Sequence, residues 1–64
     1  MLVLRRKDGE SWLDALLRAA KPWQLHDCAQ KLYEDHIKYG DSVEDAAWNA
    51  AYDLDILEYE DGEE

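Results

Sequence analysis

The sequence predicts an all-α fold: a helical hairpin or three-helix miniature, with helices over about 12–20, 22–39 and 43–57. Two observations carry this. Apolar residues recur at three- and four-residue spacing along most of the 64-residue chain. The turn-forming residues fall between those stripes, at Asp8-Gly9, Lys21-Pro22 and Gly40-Asp41-Ser42. No linker divides the chain, so residues 1–59 are expected to form one domain and 60–64 a disordered acidic tail.

Leu2-Val3-Leu4 is short enough to be a brief strand or an arm laid over the core, and Asp8-Gly9 turns the chain after it. Ser11 with Asp14 resembles a capping box, so the first helix starts at Trp12. Trp12, Leu13, Leu16, Leu17, Ala19 and Ala20 give it a wide apolar face. Lys21-Pro22 stops it, because the residue before proline avoids the helical region. Proline suits the first position of a helix, which places the second helix immediately after. Its stripe is Leu25, Cys28, Ala29, Leu32, Tyr33, His36 and Tyr39, with Gln24, Asp27, Lys31, Glu34, Asp35 and Lys38 opposite. Gly40 supplies a C-cap free to take positive φ. Either Asp41 with Glu44 or Ser42 with Asp45 caps the third helix.

The third helix has two apolar sectors where a surface helix needs one. At about 100° per residue, Val43, Ala46, Ala47, Ala50, Ala51, Leu54 and Leu57 share a shallow face. Trp48, Tyr52, Ile56 and Tyr59 fall roughly opposite, among Glu44, Asp45, Asp53 and Asp55. Tyr52, Leu54 and Ile56 also alternate like a strand that could pair with Leu2-Val3-Leu4, but the unbroken alanine stripe favours helix to Leu57. The aromatic face needs a cover: the first helix, a second protomer, or another protein.

Charge is divided unevenly. Residues 1–38 hold seven basic and six acidic side chains, and residues 39–64 hold ten acidic and no basic ones. The anionic half repels phosphates, so no direct nucleic-acid contact is expected, and it attracts a basic protein surface. No apolar run approaches the roughly 20 residues a membrane helix requires. "MLVLRRK" places its apolar residues before its basic ones, the reverse of a secretory signal. Cys28 is the lone cysteine, which excludes an internal disulfide and fits a reducing cytoplasm. So small a core gains from a second copy of the chain, making a homodimer the expected assembly.

Chemistry-bearing constellations are sparse. His26 and Cys28 point about 200° apart on a helix, and His26 and His36 lie nearly three turns apart, so no metal site is expected. His36 is expected as a core-facing histidine and Cys28 as a small buried hydrophobe. Cys28 has no evident base, orienting residue or oxyanion donor, and Gly9, Gly40 and Gly62 form no phosphate loop. Neither an enzyme nor a cofactor is expected.

The small size, single helical domain and acidic aromatic face resemble the small acidic helical proteins that bacteriophages encode to disable host machinery. Anti-CRISPR proteins and inhibitors of host regulators are examples. The resemblance implies a stoichiometric inhibitor in the host cytoplasm that occludes a site on a host protein with a basic or aromatic-accepting surface. Trp48 and Tyr52, supported by Ile56, Tyr59, Asp45, Asp53 and Asp55, are the expected contact residues, combining aromatic anchors with electrostatic steering. The alternatives are a structural dimerisation module or antitoxin-like subunit, and a nucleic-acid mimic that works through its charge.

Overall fold

A computed structural model describes residues 2–59; Met1 and the expected tail at 60–64 lie outside the described residues. The element order is β1 (Leu2–Val3), α1 (Trp12–Ala20), a 3-10 turn (Lys21–Trp23), α2 (His26–Lys38), α3 (Val43–Leu54) and β2 (Glu58–Tyr59). The three-helix plan stands. Of the two readings open for Leu2-Val3-Leu4 the brief strand is present, in a small antiparallel ribbon that pairs Leu2 with Tyr59 and Val3 with Glu58 and qualifies the all-α expectation.

Local chemistry sets the helix starts. The Asp14 N–H donates to Ser11 Oγ at 3.0 Å, and the Asp45 N–H donates to Ser42 Oγ at 3.1 Å. Of the two capping arrangements open to α3, the chain uses Ser42. Each bond satisfies one of the donors that a helix N-terminus otherwise leaves free.

The helix ends share one backbone device. After α2, the Gly40 N–H donates to the Ile37 carbonyl and the Asp41 N–H to the His36 carbonyl, both at 3.0 Å. This is the Schellman pattern, with Gly40 left-handed at φ 104°. The same pair of bonds closes α3 around Asp55 (φ 58°) and the 3-10 turn around Gln24 (φ 56°). The Ile56 N–H donates to Ala51 O and the Leu25 N–H to Ala20 O, each at 3.1 Å.

Those left-handed residues explain two corrected boundaries. The second helix starts at His26 instead of residue 22, because Gln24 turns the chain so that α2 folds back beside α1. The third helix stops at Leu54 instead of Leu57. Continued helically, residue 56 would sit beside Tyr52 on the outward side. The turn at Asp55 instead sends Ile56 into the core, where it is 5% exposed, and frees Glu58–Tyr59 to pair with β1. Burying an isoleucine side chain contributes about 2 kcal/mol, enough to outweigh the helical continuation.

The core is built mostly from small residues. Leu16 and Ala20 of α1, Ala29 of α2 and Ala47, Ala50 and Ala51 of α3 are fully buried, joined by Leu4 and Ile56. Alanines on α3 let both other helices approach it closely, while Leu13, Leu17, Leu25, Leu32 and Leu54 pack around the edge. Three stripe assignments are corrected. Cys28 is exposed because it lies about 100° around α2 from buried Ala29. Tyr39, beyond the last helical residue, and Val43, at the first residue of α3, project past the packed length and are also exposed.

Candidate interaction surface

The aromatic residues that one continuous helix would have aligned are dispersed. Trp48 is half-buried: its ring meets Trp12 of α1 with centroids 6.4 Å apart and planes tilted by 52°. The Arg6 guanidinium lies over Trp12, 4.9 Å from the ring centre. The first helix is therefore the cover for Trp48. Such a tilted pair contributes about 1 kcal/mol beyond its buried area. Ile56 belongs to the core, and Tyr59 lies on β2 opposite Leu2. Only Tyr52 combines a place on the outward side of α3 with high exposure, at 70%.

The acids separate as well. Glu44 and Asp45 stand exposed in the first turn of α3, and Glu44, Trp48 and Tyr52 follow one another at four-residue intervals along one row. Asp53 lies at the other flank, toward α2. His36 sits between two carboxylates, its Nδ1 3.1 Å from Asp41 Oδ2 and its Nε2 3.3 Å from Asp53 Oδ2. Asn49 Nδ2 donates to the same Asp41 oxygen at 3.1 Å. This network ties α2, the intervening turn and α3 together, so the half-buried His36 is a polar clamp instead of a core histidine. Asp55 occupies the left-handed turn after α3. Among the described residues no three His, Cys, Asp or Glu side chains converge as a metal site, and no helix is long and apolar enough to cross a membrane.

A second feature escaped the sequence reading. A groove of about 480 Å³ opens between the 3-10 turn and the segment that leaves α3, lined by Pro22, Trp23, Asp55, Leu57 and Glu58 together with Arg18. Trp23 is 65% exposed. The available signal was that Trp23 follows a helix stop and fits neither neighbouring stripe. Nothing local in the sequence placed it beside Asp55, more than thirty residues away.

The N-terminal segment is fastened across α1 by Arg18. Its Nε and Nη2 donate to Glu10 at 3.1 and 3.0 Å, and Nη2 also donates to the Arg5 carbonyl at 3.0 Å. Those bonds, with the Lys7 N–H, lower the Glu10 carboxyl pKa to about 2, and Glu10 in turn raises that of Arg18. Arg5 reaches Glu58 at 3.0 Å and links this segment to β2.

No protein-family model, curated protein or solved structure matches this chain. The class defined by fold and surface is a small three-helix protein with an acidic outward helix face, and the functional reading rests on that geometry.

Proposed function

We propose that this chain works without catalysis, by stoichiometric binding to a protein that presents a basic surface, in the manner of a phage-encoded inhibitor that occludes a site on host machinery. The observation that carries the proposal is Tyr52. It is 70% exposed and shares a helix row with Glu44, which stands with Asp45 in the first turn of α3, and no cation pairs with either acid among the described residues. An exposed aromatic two turns along one helix from a pair of unpaired carboxylates suits a partner that offers an aromatic-accepting hollow with cations to one side of it. Trp48 takes a supporting place, since it is half-buried with its ring against Trp12. That packing also removes one motive for a homodimer, because α1 supplies the cover that a second protomer would have given.

The test is co-purification from a bacterial lysate with three baits: wild type, Tyr52→Ala and the Glu44→Gln/Asp45→Asn pair. Wild type is expected to retain one species at near-equal stoichiometry. Tyr52→Ala is expected to weaken retention by about tenfold or more, as the loss of an interface anchor does. The acid pair is expected to reduce retention mainly by slowing association. Retention of the same species by all three baits would remove α3 as the contact surface. Loss under the charge pair alone, with sharp salt dependence, would favour mimicry of nucleic acid.

A further inference from the structure

Two of the three Schellman turns put an ordinary L-residue where glycine fits best, and both adjoin one groove. Gln24 (φ 56°) follows Trp23, and Asp55 (φ 58°) faces the same groove as Trp23. The remaining turn uses glycine, at Gly40.

Asp55 is unfavourable on a second count. The last turn of a helix carries partial negative charge and favours cations. The last turns of α1 and α2 contain Arg18 and His36 with Lys38, whereas that of α3 contains no basic residue and is followed by the Asp55 carboxylate. The other charged groups lining the groove are already engaged. Glu58 pairs with Arg5, and Arg18 is directed at Glu10 and the Arg5 carbonyl. Asp55 has no ion pair or side-chain hydrogen bond among the described residues. The same groove is lined by the largely open indole of Trp23 and by Pro22 from the 3-10 turn, and by Leu57 from the segment that carries Asp55.

We infer that this groove is a slot for an arginine side chain presented by a protein partner. Its guanidinium would stack on Trp23 and donate to the Asp55 carboxylate, with its methylene stem against Pro22 and Leu57. The chemistry follows from each wall. Indole faces attract cations, and a planar guanidinium both stacks and donates. A partner cation would also relieve the repulsion between Asp55 and the negative end of α3. The slot adjoins the Tyr52 surface, since the Asp55 N–H donates to the Tyr52 carbonyl, but it shares no side chain with that surface and can be tested without the natural partner.

The experiment is an NMR titration of the full isotopically labelled chain. The probe is the capped peptide Gly-Arg-Gly at millimolar concentration, with Gly-citrulline-Gly as the uncharged counterpart. The arginine peptide is expected to shift the Trp23 indole and the Asp55 and Leu57 amides in a saturable way, and the citrulline peptide to bind about tenfold more weakly. Trp23→Ala and Asp55→Asn should each weaken the arginine peptide by about tenfold, while Tyr52→Ala leaves it unchanged. Asparagine tolerates the left-handed region as aspartate does, and Trp23 is mostly exposed, so both variants retain the fold. Equal shifts with both peptides would overturn the slot. So would shifts centred on Glu44 and Asp45, or full binding by Asp55→Asn.

Discussion

The second and third helices end in the same hydrogen-bonded turn, made from opposite materials. At the end of α2 the left-handed position is Gly40, and His36 and Lys38 supply cations to the last turn. At the end of α3 that position is Asp55, with no cation in the last turn. The bonds that close the two ends are alike: the left-handed residue's N–H donates at 3.0 Å in both, and the next N–H at 3.0 and 3.1 Å. Backbone geometry therefore cannot account for the difference in residue choice. The Gly40 turn joins two helices that must pack, and it is composed for stability. The Asp55 turn borders an open aromatic groove and departs from the same rules twice. Such departures concentrate where a surface serves something besides the fold.

Exchanging the materials breaks the comparison if it is sound. Gly40→Asp places an L-residue at φ 104° and should cost about 1–2 kcal/mol. On a domain this small that lowers Tm by roughly 5–10 °C, readable by thermal circular dichroism. Nothing lies within 4 Å of a Cβ built at Gly40, so the loss would report backbone strain and not a clash. Ser42→Ala removes the bond to the Asp45 N–H at the start of α3 and should cost about 1 kcal/mol. Asp55→Gly should act in the opposite direction. It relieves the left-handed strain and removes the misplaced charge, partly offset by greater chain entropy in the unfolded state, for a net gain of about 0.5 kcal/mol. A variant that is more stable yet no longer takes the arginine peptide would separate folding from recognition at this turn. If Asp55→Gly destabilises the chain instead, the aspartate is structural and the contrast with Gly40 fails.

What the sequence disclosed divides along the same line. Ser11 and Ser42 announce helix starts because each cap bonds to a backbone N–H three residues on. Ala46, Ala47, Ala50 and Ala51 announce a buried face because helical period alone aligns them. Gly40 marks its turn because only glycine is at ease there. Gln24 and Asp55 gave no such notice: neither is a specific signal for a left-handed residue, and tertiary demand places them so. Asp55 turns left-handed so that Ile56 can reach the core beside Leu4, which in turn brings Glu58 and Tyr59 to β1. The helical stripe through Leu54 and Leu57 concealed that break. The pairing of Trp12 with Trp48, the clamp on His36 and the groove at Trp23 all join residues distant in sequence. A periodic pattern shows that a second apolar stripe exists but cannot name its cover.

The smallest expected effect concerns the end of α1, which obeys the charge rule that the end of α3 breaks. In the last turn of α1, Arg18 complements the helix dipole and holds Glu10, whose side chain remains 16% exposed. The folded pKa of Glu10 is about 2, lowered from an ordinary 4.5 chiefly by the Arg18 hydrogen bonds. A depressed carboxyl pKa stabilises the fold when the group is ionised in both folded and unfolded chains, that is, above about 4.5. The contribution then fades as pH falls from about 4.5 toward 2. Glu10→Gln lacks it throughout. The variant is expected to be slightly less stable than wild type at neutral pH, with the gap closing across that acid window, in urea melts run in parallel. Comparing the two proteins at each pH cancels the titration of the other carboxylates. A gap that persists at pH 2 would mean that Glu10 acts through packing. A gap that is absent at pH 7 would mean that Arg18 holds the N-terminal segment through the Arg5 carbonyl alone.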